Sequence, residues 1–402
     1  MDPKGCRFTM RQFMELDACT RCGECLKACE TYGRLGTDSV APAQKLKRFR
    51  AILMGEGRGI FFSRLFKKSP SEVELQEFAK GVYSCTLCSR CAEVCPSKID
   101  LLGLWFSMRQ ELGDRDVHPQ NLNTARDAIA ATRNVVNYPN EERASWADYM
   151  MDAPEDLYQR EKAEVLYYVG CMSSFSPAIQ GIPQAYAHVL EKAGVSFTVL
   201  GEKEWCCGFP LKAAGMRDEA EELIAHNVEL VRQVGAKIVT FNCPSCYNTW
   251  LKEYGPRLPD VELLHSSQLL ARLIKEGRLH PKAMNMKVTY HDPCDLGRNS
   301  GVYRAPREVI AGVPGLALAE PPASREQAHC CGGGGDLEIV NADLAHDVSL
   351  NSYHALLGTG AEAIVTACPQ CTRMFRASAQ KSPTKVEVMD LTEMILKTLE
   401  EE

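Results

Sequence analysis

Long apolar runs are missing from this sequence of 402 residues. No stretch of about eighteen apolar residues occurs, and the first residues, Met-Asp-Pro-Lys-Gly-Cys, lack the apolar segment of a secretory signal. We therefore expect neither a membrane-spanning helix nor export. The prediction is a cytoplasmic protein that can associate with a membrane through a partner subunit.

The sequence also lacks a net positive charge and any nucleotide-binding motif. The net charge is −6 and no nucleic-acid-binding motif is present, so nucleic acid is not an expected partner. The four glycines at 332–335 are not followed by Lys-Ser or Lys-Thr, and no dinucleotide fingerprint occurs. Because no flavin or nicotinamide site is visible, any redox chemistry needs a partner that supplies or removes electrons.

Cysteine, by contrast, is abundant, with nineteen residues. In a chain without an export signal, clustered cysteines are more often metal ligands than disulfides, because cytosolic thiols are kept reduced. A content of 45% hydrophobic residues suffices for two or three folded domains. Eighteen of the cysteines fall into four groups, and Cys6 stands alone as a bystander.

The first two groups have the spacing of two-cluster ferredoxins, Cys-x2-Cys-x2-Cys-x3-Cys. In such proteins the fourth cysteine of each motif serves the other cluster. The predicted ligand sets are Cys19, Cys22, Cys25 and Cys95 for one [4Fe-4S] cluster, and Cys85, Cys88, Cys91 and Cys29 for the other. Zinc is the alternative, but it requires neither the third nor the fourth cysteine of each motif. In the first motif Glu30 follows the last cysteine, at the position where the second motif has Pro96.

The remaining two groups belong to an internal repeat with an offset of 123 to 125 residues. Apolar segments at 165–171, 235–246 and 261–265 match 288–294, 360–371 and 386–390, and most end in cysteine. These read as strands, whereas helical periodicity occurs at 183–193, 219–234, 266–274, 305–310, 342–357 and 391–399. Alternating strands and helices predict a small parallel α/β unit in each repeat, with its ligands at the carboxyl ends of the strands.

Each repeat carries five cysteines, more than one ordinary cubane cluster uses. The sets are Cys171, Cys206, Cys207, Cys243 and Cys246, and Cys294, Cys330, Cys331, Cys368 and Cys371. Here the sequence resembles the cysteine-rich, or CCG, domain family and, over nearly the whole chain, the D-subunit family of heterodisulfide reductases. The resemblance implies that each set of five binds a non-cubane [4Fe-4S] cluster and that the two clusters cleave a disulfide. Since a disulfide takes two electrons and each cluster delivers one, a pair of clusters suits this chemistry.

Some residues beside the CCG cysteines are further candidates. Gly208, Gly332 and Gly333 would let the backbone approach a cluster closely. His291 and His329 could donate protons to a leaving thiolate, although structural hydrogen bonding is the competing interpretation.

The segment 45–68 departs from the acidic balance, with eight basic residues against Glu56 alone. Its end, 59–68, mixes large apolar and basic residues, which suits docking on a membrane or an acidic subunit; a helix packed on its own protein is the alternative.

The predicted fold is α+β overall. A mostly helical ferredoxin-type domain at 1–133, with helices at 99–112 and 121–133, is followed by a polar connector at 134–163. Two α/β CCG domains, 164–280 and 281–402, complete the chain. The sequence allows two interpretations of the function. The first is an oxidoreductase subunit that acts on a small disulfide through four [4Fe-4S] clusters. The second is an electron relay without a substrate of its own. Both require partners such as a flavoprotein, a ferredoxin or a b-type cytochrome.

Overall fold

The computed structural model of the chain describes residues 8–56, 69–150 and 152–399. Cys6 and the whole of 59–68 lie outside the described residues. The described helices are α1 Met10–Asp17, α2 Glu24–Ala28, α3 Glu30–Leu35, α4 Pro42–Gly55, α5 Glu72–Tyr83, α6 Arg90–Glu93, α7 Leu101–Gly113, α8 Leu122–Thr132, α9 Ser145–Asp148, α10 Cys171–Phe175, α11 Gly181–Lys192, α12 Phe209–Ala214, α13 Glu221–Val234, α14 Pro244–Thr249, α15 Ser266–Lys275, α16 Arg304–Ala311, α17 Leu337–Val340, α18 Ala342–Leu357, α19 Pro369–Lys381 and α20 Leu391–Leu399.

The described residues also form eight short strands. They are β1 Val165–Tyr168, β2 Phe197–Thr198, β3 Ile238–Phe241, β4 Glu262–His265, β5 Met286–His291, β6 Leu316–Leu318, β7 Ala363–Thr366 and β8 Glu387–Asp390. The chain separates into two units. The first comprises 1–124, 210–218 and 332–348, and the second comprises 125–209, 219–331 and 349–402.

The first unit is helical among its described residues. Thr9 and Ser71 cap the first turns of α1 and α5, because their side chains accept hydrogen bonds from backbone N–H groups that have no partner within the helix. Helices α4, α5 and α7 supply its core, where Phe49 stacks on Phe78 with ring centroids 5.7 Å apart. Lys45, on the same helix as Phe49, is buried with its ammonium 4.8 Å from the Trp105 ring centroid. It therefore adds nothing to a basic surface.

The second unit contains the two repeats, and each forms one four-stranded parallel sheet. The strand orders are β2-β1-β3-β4 and β6-β5-β7-β8, so corresponding strands occupy corresponding places. Strand β1 pairs with β3 from Val165 opposite Ile238 onward, and β5 pairs with β7 from Val288 opposite Ala363 onward. The predicted parallel α/β repeats, and the α+β class of the whole chain, are confirmed. Strands β2 and β6, each at one edge of its sheet, are additions that the sequence pattern does not indicate.

The connector predicted at 134–163 has the expected short helical pieces, at Asn140–Ala144 and α9. Several of its residues are nevertheless fully buried in the second unit, among them Asn134, Arg143 and Trp146. This stretch therefore forms part of the first repeat's core.

Candidate iron–sulfur sites

The two ferredoxin-type motifs share one backbone conformation. The second residue after the first cysteine is left-handed in both, Arg21 with φ +59° and Leu87 with φ +55°. The fourth residue after it is left-handed as well, Gly23 with φ +85° and Ser89 with φ +63°. Residues other than glycine rarely adopt this conformation without a reason. Because this conformation occurs at the same two positions of each motif, both loops should enclose groups of the same shape.

The first set of four comes together around one small cavity. Cys19, Cys22 and Cys25 line it from the first motif, and Cys95 lines it from the second. Cys22 is exposed. Burial raises the pKa of the Cys25 thiol to about 11, and the neighbouring Cys19 and Cys22 add to the effect.

The second set of four is more deeply placed. Burial raises the pKa of the Cys91 thiol well above its ordinary value, and nearby Cys85, Cys88 and Cys29 raise it further. Glu30, which departs from the ferredoxin pattern, accepts a 2.6 Å hydrogen bond from Arg90. This ion pair joins the end of the first motif to the loop of the second, and so holds Cys29 beside the second set.

In the first repeat the five cysteines lie at the carboxyl side of the sheet, where β1 and β3 end. Their thiols form a continuous hydrogen-bonded chain, from Cys171 to Cys206, Cys207, Cys246 and Cys243. Hydrogen bonds from Cys206 and then Cys246 lower the pKa of the Cys207 thiol. Five sulfur donors thus converge in one buried place.

The second repeat gathers its five cysteines in the same way. Cys294 is hydrogen-bonded to Cys330, and the sulfur atoms of Cys331 and Cys371 are 2.9 Å apart. Cys368 adjoins Cys371, whose backbone N–H donates to the Cys368 sulfur over 3.5 Å. The two repeats therefore offer equivalent sets of soft thiolate donors, the ligand type that iron–sulfur clusters use.

The two repeats interlock beside their cysteines. Helix α14, which starts after Cys243, contacts the loop after Cys294: Ser245 donates to the Asp295 carboxylate over 2.5 Å, and Asn248 donates to the Asn299 carbonyl over 2.7 Å. Helix α19, which starts after Cys368, contacts the short helical turn Pro177–Ile179 just beyond α10, where Arg376 donates to the Ala178 carbonyl over 2.7 Å. In each repeat, the helix that carries the last cysteine thus packs against the segment that follows the first cysteine of the other repeat.

A buried ion pair that the sequence does not reveal lies beside the first set of five. Arg143 and Glu204 are each 1% exposed, and their closest atoms are 2.7 Å apart. Glu204 also accepts the backbone N–H groups of Val169 and Gly170, both over 2.9 Å, and Arg143 reaches the Cys171 sulfur at 3.7 Å. The pair fixes the turn that presents Cys171. No periodicity or motif marks either residue, because the two are far apart in the sequence.

The two candidate histidines differ in their surroundings. His291, at the end of β5, is 3% exposed, and its Nε2 donates to the His329 carbonyl while Nδ1 bonds the Thr366 hydroxyl, each over 3.1 Å. Burial lowers the pKa of His291 to about 4. His329 is half-buried and, with Tyr290 and Ser352, lines a cavity of about 240 Å³.

The predicted glycines have specific surroundings too. Gly208 has φ +87°, and a Cβ there would lie 2.9 Å from the Ala220 Cβ, so space is a second reason for glycine. Gly332 has φ +80°, and Gly333 is half-buried.

Within the described residues, no helix is both long and apolar enough to cross a membrane.

Comparison with known families agrees with this organisation. A 4Fe-4S dicluster domain profile matches residues 15–99, and a cysteine-rich CCG domain profile matches 165–250 and again 288–376. The D subunit of the dihydromethanophenazine:CoB–CoM heterodisulfide reductase of Methanosarcina barkeri is 35% identical over 97% of this chain and 96% of its own length.

Two more distant proteins extend the comparison. The EtfAB:quinone oxidoreductase of Syntrophomonas wolfei is 30% identical over 98% of this chain, which spans 59% of that protein. A hypothetical protein from Helicobacter pylori has a similar fold, with a TM-score of 0.64 and 10% identity, covering 98% of this chain and 74% of its own.

Proposed function

The chain belongs to the D-subunit family of heterodisulfide reductases, and on that premise we propose that it reduces a small disulfide at its two interlocked five-cysteine sites. It is an iron–sulfur oxidoreductase subunit, with a ferredoxin-type dicluster domain and two CCG domains. The observation that carries the proposal is the reciprocal packing of α14 and α19, each against the segment that follows the first cysteine of the other repeat.

We assign four [4Fe-4S] clusters to the eighteen cysteines of the motifs. The ferredoxin-type clusters take Cys19, Cys22, Cys25 and Cys95, and Cys85, Cys88, Cys91 and Cys29; the CCG clusters, which we propose to be non-cubane, take the two sets of five. The left-handed loops and the convergent thiols fit this assignment. When bound, these groups supply one-electron steps, of which a disulfide takes two.

The chain's own residues prepare the two sites for disulfide chemistry. The hydrogen bonds between Ser245 and Asp295, and between Asn248 and Asn299, hold the first cysteine loop of the second repeat against the first repeat. Arg376 of the second repeat in turn donates to the Ala178 carbonyl of the first repeat, and so holds the segment beyond α10. Both thiolates formed from a disulfide take up a proton at neutral pH, and half-buried His329, next to Cys330, is a candidate to deliver one. His291 is buried, and both of its ring nitrogens are hydrogen-bonded.

The experiment adds a disulfide to the reduced, anaerobically purified protein and follows its paramagnetic signals. If substrate sulfur reaches iron, a new signal appears that depends on the disulfide. Cys207→Ser and Cys331→Ser should each abolish cleavage, because losing either leaves one substrate sulfur without its iron. Half of the activity in each single variant would instead indicate independent sites and contradict the pairing.

A second function has one specific observation in its favour, the relative named as a quinone oxidoreductase. In that case the chain relays electrons and has no substrate, and no disulfide-dependent signal appears. The identity of the partner indicates the kind of complex: a flavoprotein suits a bifurcating or dehydrogenase complex, and a b-type cytochrome suits a quinone-linked one. We assign the docking of such a partner, or of a membrane surface, to the basic residues of 45–68 other than the buried Lys45.

A further inference from the structure

One fully buried arginine in the first unit donates its hydrogen bonds to backbone carbonyl groups. Arg109, on α7, is 0% exposed. Its Nη1 donates to the carbonyls of Ala213 over 2.7 Å and Gly335 over 2.8 Å. Its Nη2 donates to the carbonyl of Cys85 over 2.7 Å and, more weakly, to that of Val82 over 3.4 Å.

These carbonyls come from three separate places in the chain. Cys85 opens the second ferredoxin-type motif. Ala213 lies in α12, six residues after Cys207, and Gly335 lies four residues after Cys331. One guanidinium therefore joins the second ferredoxin-type loop to the segment that follows each of the two CCG cysteine pairs.

The backbones meet closely enough that side chains would not fit. A Cβ on Gly335 would lie 2.7 Å from the Cys85 carbonyl oxygen, and one on Gly215 would lie 2.1 Å from the Arg109 carbonyl oxygen. Carbonyl groups brought so close need donors, since an unpaired buried carbonyl is costly. Arginine suits this role because its planar fork offers five N–H donors and stays charged, whereas lysine offers a point charge. Tyr83 reinforces the junction, donating to the Ala214 carbonyl over 2.8 Å.

The first ferredoxin-type site has no such connection among its described neighbours. The cavity around Cys19, Cys22, Cys25 and Cys95 is lined by residues 19–23, 25, 43, 46, 95–97, 99 and 101, and none comes from 210–218 or 332–348. Cys22 is exposed there, whereas Cys91 of the second site is buried. The first site is thus the more accessible to an external electron donor.

We propose that Arg109 is the positioning residue that makes the second ferredoxin-type site, at Cys85, Cys88 and Cys91, the one that passes electrons to both CCG sites. The proposal rests on the proposed function. Electrons pass one at a time, so the second ferredoxin-type site is oxidised as a CCG site is reduced, and no bond is made or broken. An external one-electron donor, such as dithionite or a partner protein, replaces each electron.

The test uses the full-length, anaerobically purified protein with its clusters, reduced by dithionite in a stopped-flow instrument. The reduction rate of the CCG sites is followed through signals assigned with a Cys207→Ser, Cys331→Ser double variant. Arg109→Met should slow this step, and Arg109→Lys should restore it only in part, since lysine keeps the charge but loses the fork. Gly335→Ala should slow it as well. Gly235→Ala is the matched control, because Gly235 has φ +71° with nothing within 4 Å of its Cβ position, and should leave the rate unchanged.

Hydrogen exchange supplies a readout independent of electron transfer. Amides in 210–218 and 332–348 should exchange about tenfold faster or more in Arg109→Met, since hydrogen bonds to a charged group are lost. Unchanged CCG reduction rates in Arg109→Met and Gly335→Ala would overturn the proposal even if exchange increases, because the arginine would then be structural only. If Arg109→Met does not fold, Arg109→Lys and Gly335→Ala decide the matter. No disulfide is present in this test, so its outcome is separate from that of the proposed function.

Discussion

Removing the charge of Glu204 tests how the first five-cysteine site is held in place. In Glu204→Gln the buried guanidinium of Arg143 loses its counter-ion, and the backbone N–H groups of Val169 and Gly170 lose a charged acceptor. Breaking one partner out of a buried ion pair costs about 3 to 5 kcal/mol. For a unit of this size that corresponds to a fall in unfolding temperature of about 6 to 20 °C.

The matched control is Glu262→Gln in the same unit. Glu262 pairs with Arg272, but the two side chains are 48% and 36% exposed, so the pair contributes below about 1 kcal/mol. Scanning calorimetry of the anaerobic proteins, with iron analysis before and after heating, measures both variants. The reasoning about Glu204 fails if the two variants unfold within about 2 °C of each other, because burial would then make no difference to the pair.

Three further predictions concern the acid at the end of β8, the cluster content and the ferredoxin-type ligands. Burial raises the pKa of Asp390 to about 7; Glu393 adds to this rise, whereas Thr392 and Arg376 oppose it. Above the ordinary pKa of 3.8, the folded protein therefore holds a proton on Asp390 that the unfolded chain has released. The stability that this proton contributes is therefore lost as the pH rises from about 4 to 7. In thermal unfolding, Asp390→Asn should lose up to about 4 kcal/mol less stability over that range than the unaltered protein; parallel pH profiles would refute this. Iron analysis of anaerobically purified protein should give about sixteen irons per chain, and stoichiometric zinc with little iron would contradict the assignment. Cys88→Ser should block reduction of the CCG sites by a physiological donor while those sites remain assembled, and normal kinetics would place the ferredoxin-type sites off the path.

Most of the sheet architecture can be predicted because the strands that carry cysteines are apolar and recur in the second repeat. The helix expected at 342–357 has those bounds in the structure. The edge strands β2 and β6 have two and three residues, too few for any periodicity to be recognised.

The residues that hold the sites in place are harder to foresee, because their partners are distant in sequence and have no common pattern. Arg143 lies in a stretch whose polar composition indicates a solvent-exposed connector, yet it is buried against Glu204. Arg109 occupies a helix that its periodicity predicts, but its acceptors are backbone carbonyls, which carry no side-chain signature. The four glycines at 332–335 predict a close approach to a cluster. In the structure Gly334 and Gly335 approach the backbone of Cys85 and Thr86, a contact that the sequence does not indicate.

The charges around the CCG cysteines should influence the reduction potentials of the two sites. Cys206 and burial raise the pKa of the Cys171 thiol, and the buried cation Arg143 lowers it. Cys330, burial and Asp295 raise the pKa of the Cys294 thiol, and Arg298 lowers it. Positive charge favours the reduced, more negative state of a cluster, so losing the charge of Arg143 should make the first site harder to reduce. In a redox titration followed by electron paramagnetic resonance, Arg143→Met should lower the midpoint potential of the first site, while the second site, in the same molecule, serves as the unshifted control. An unchanged potential of the first site, or an equal shift of both sites, would show that the charge of Arg143 does not set the local potential.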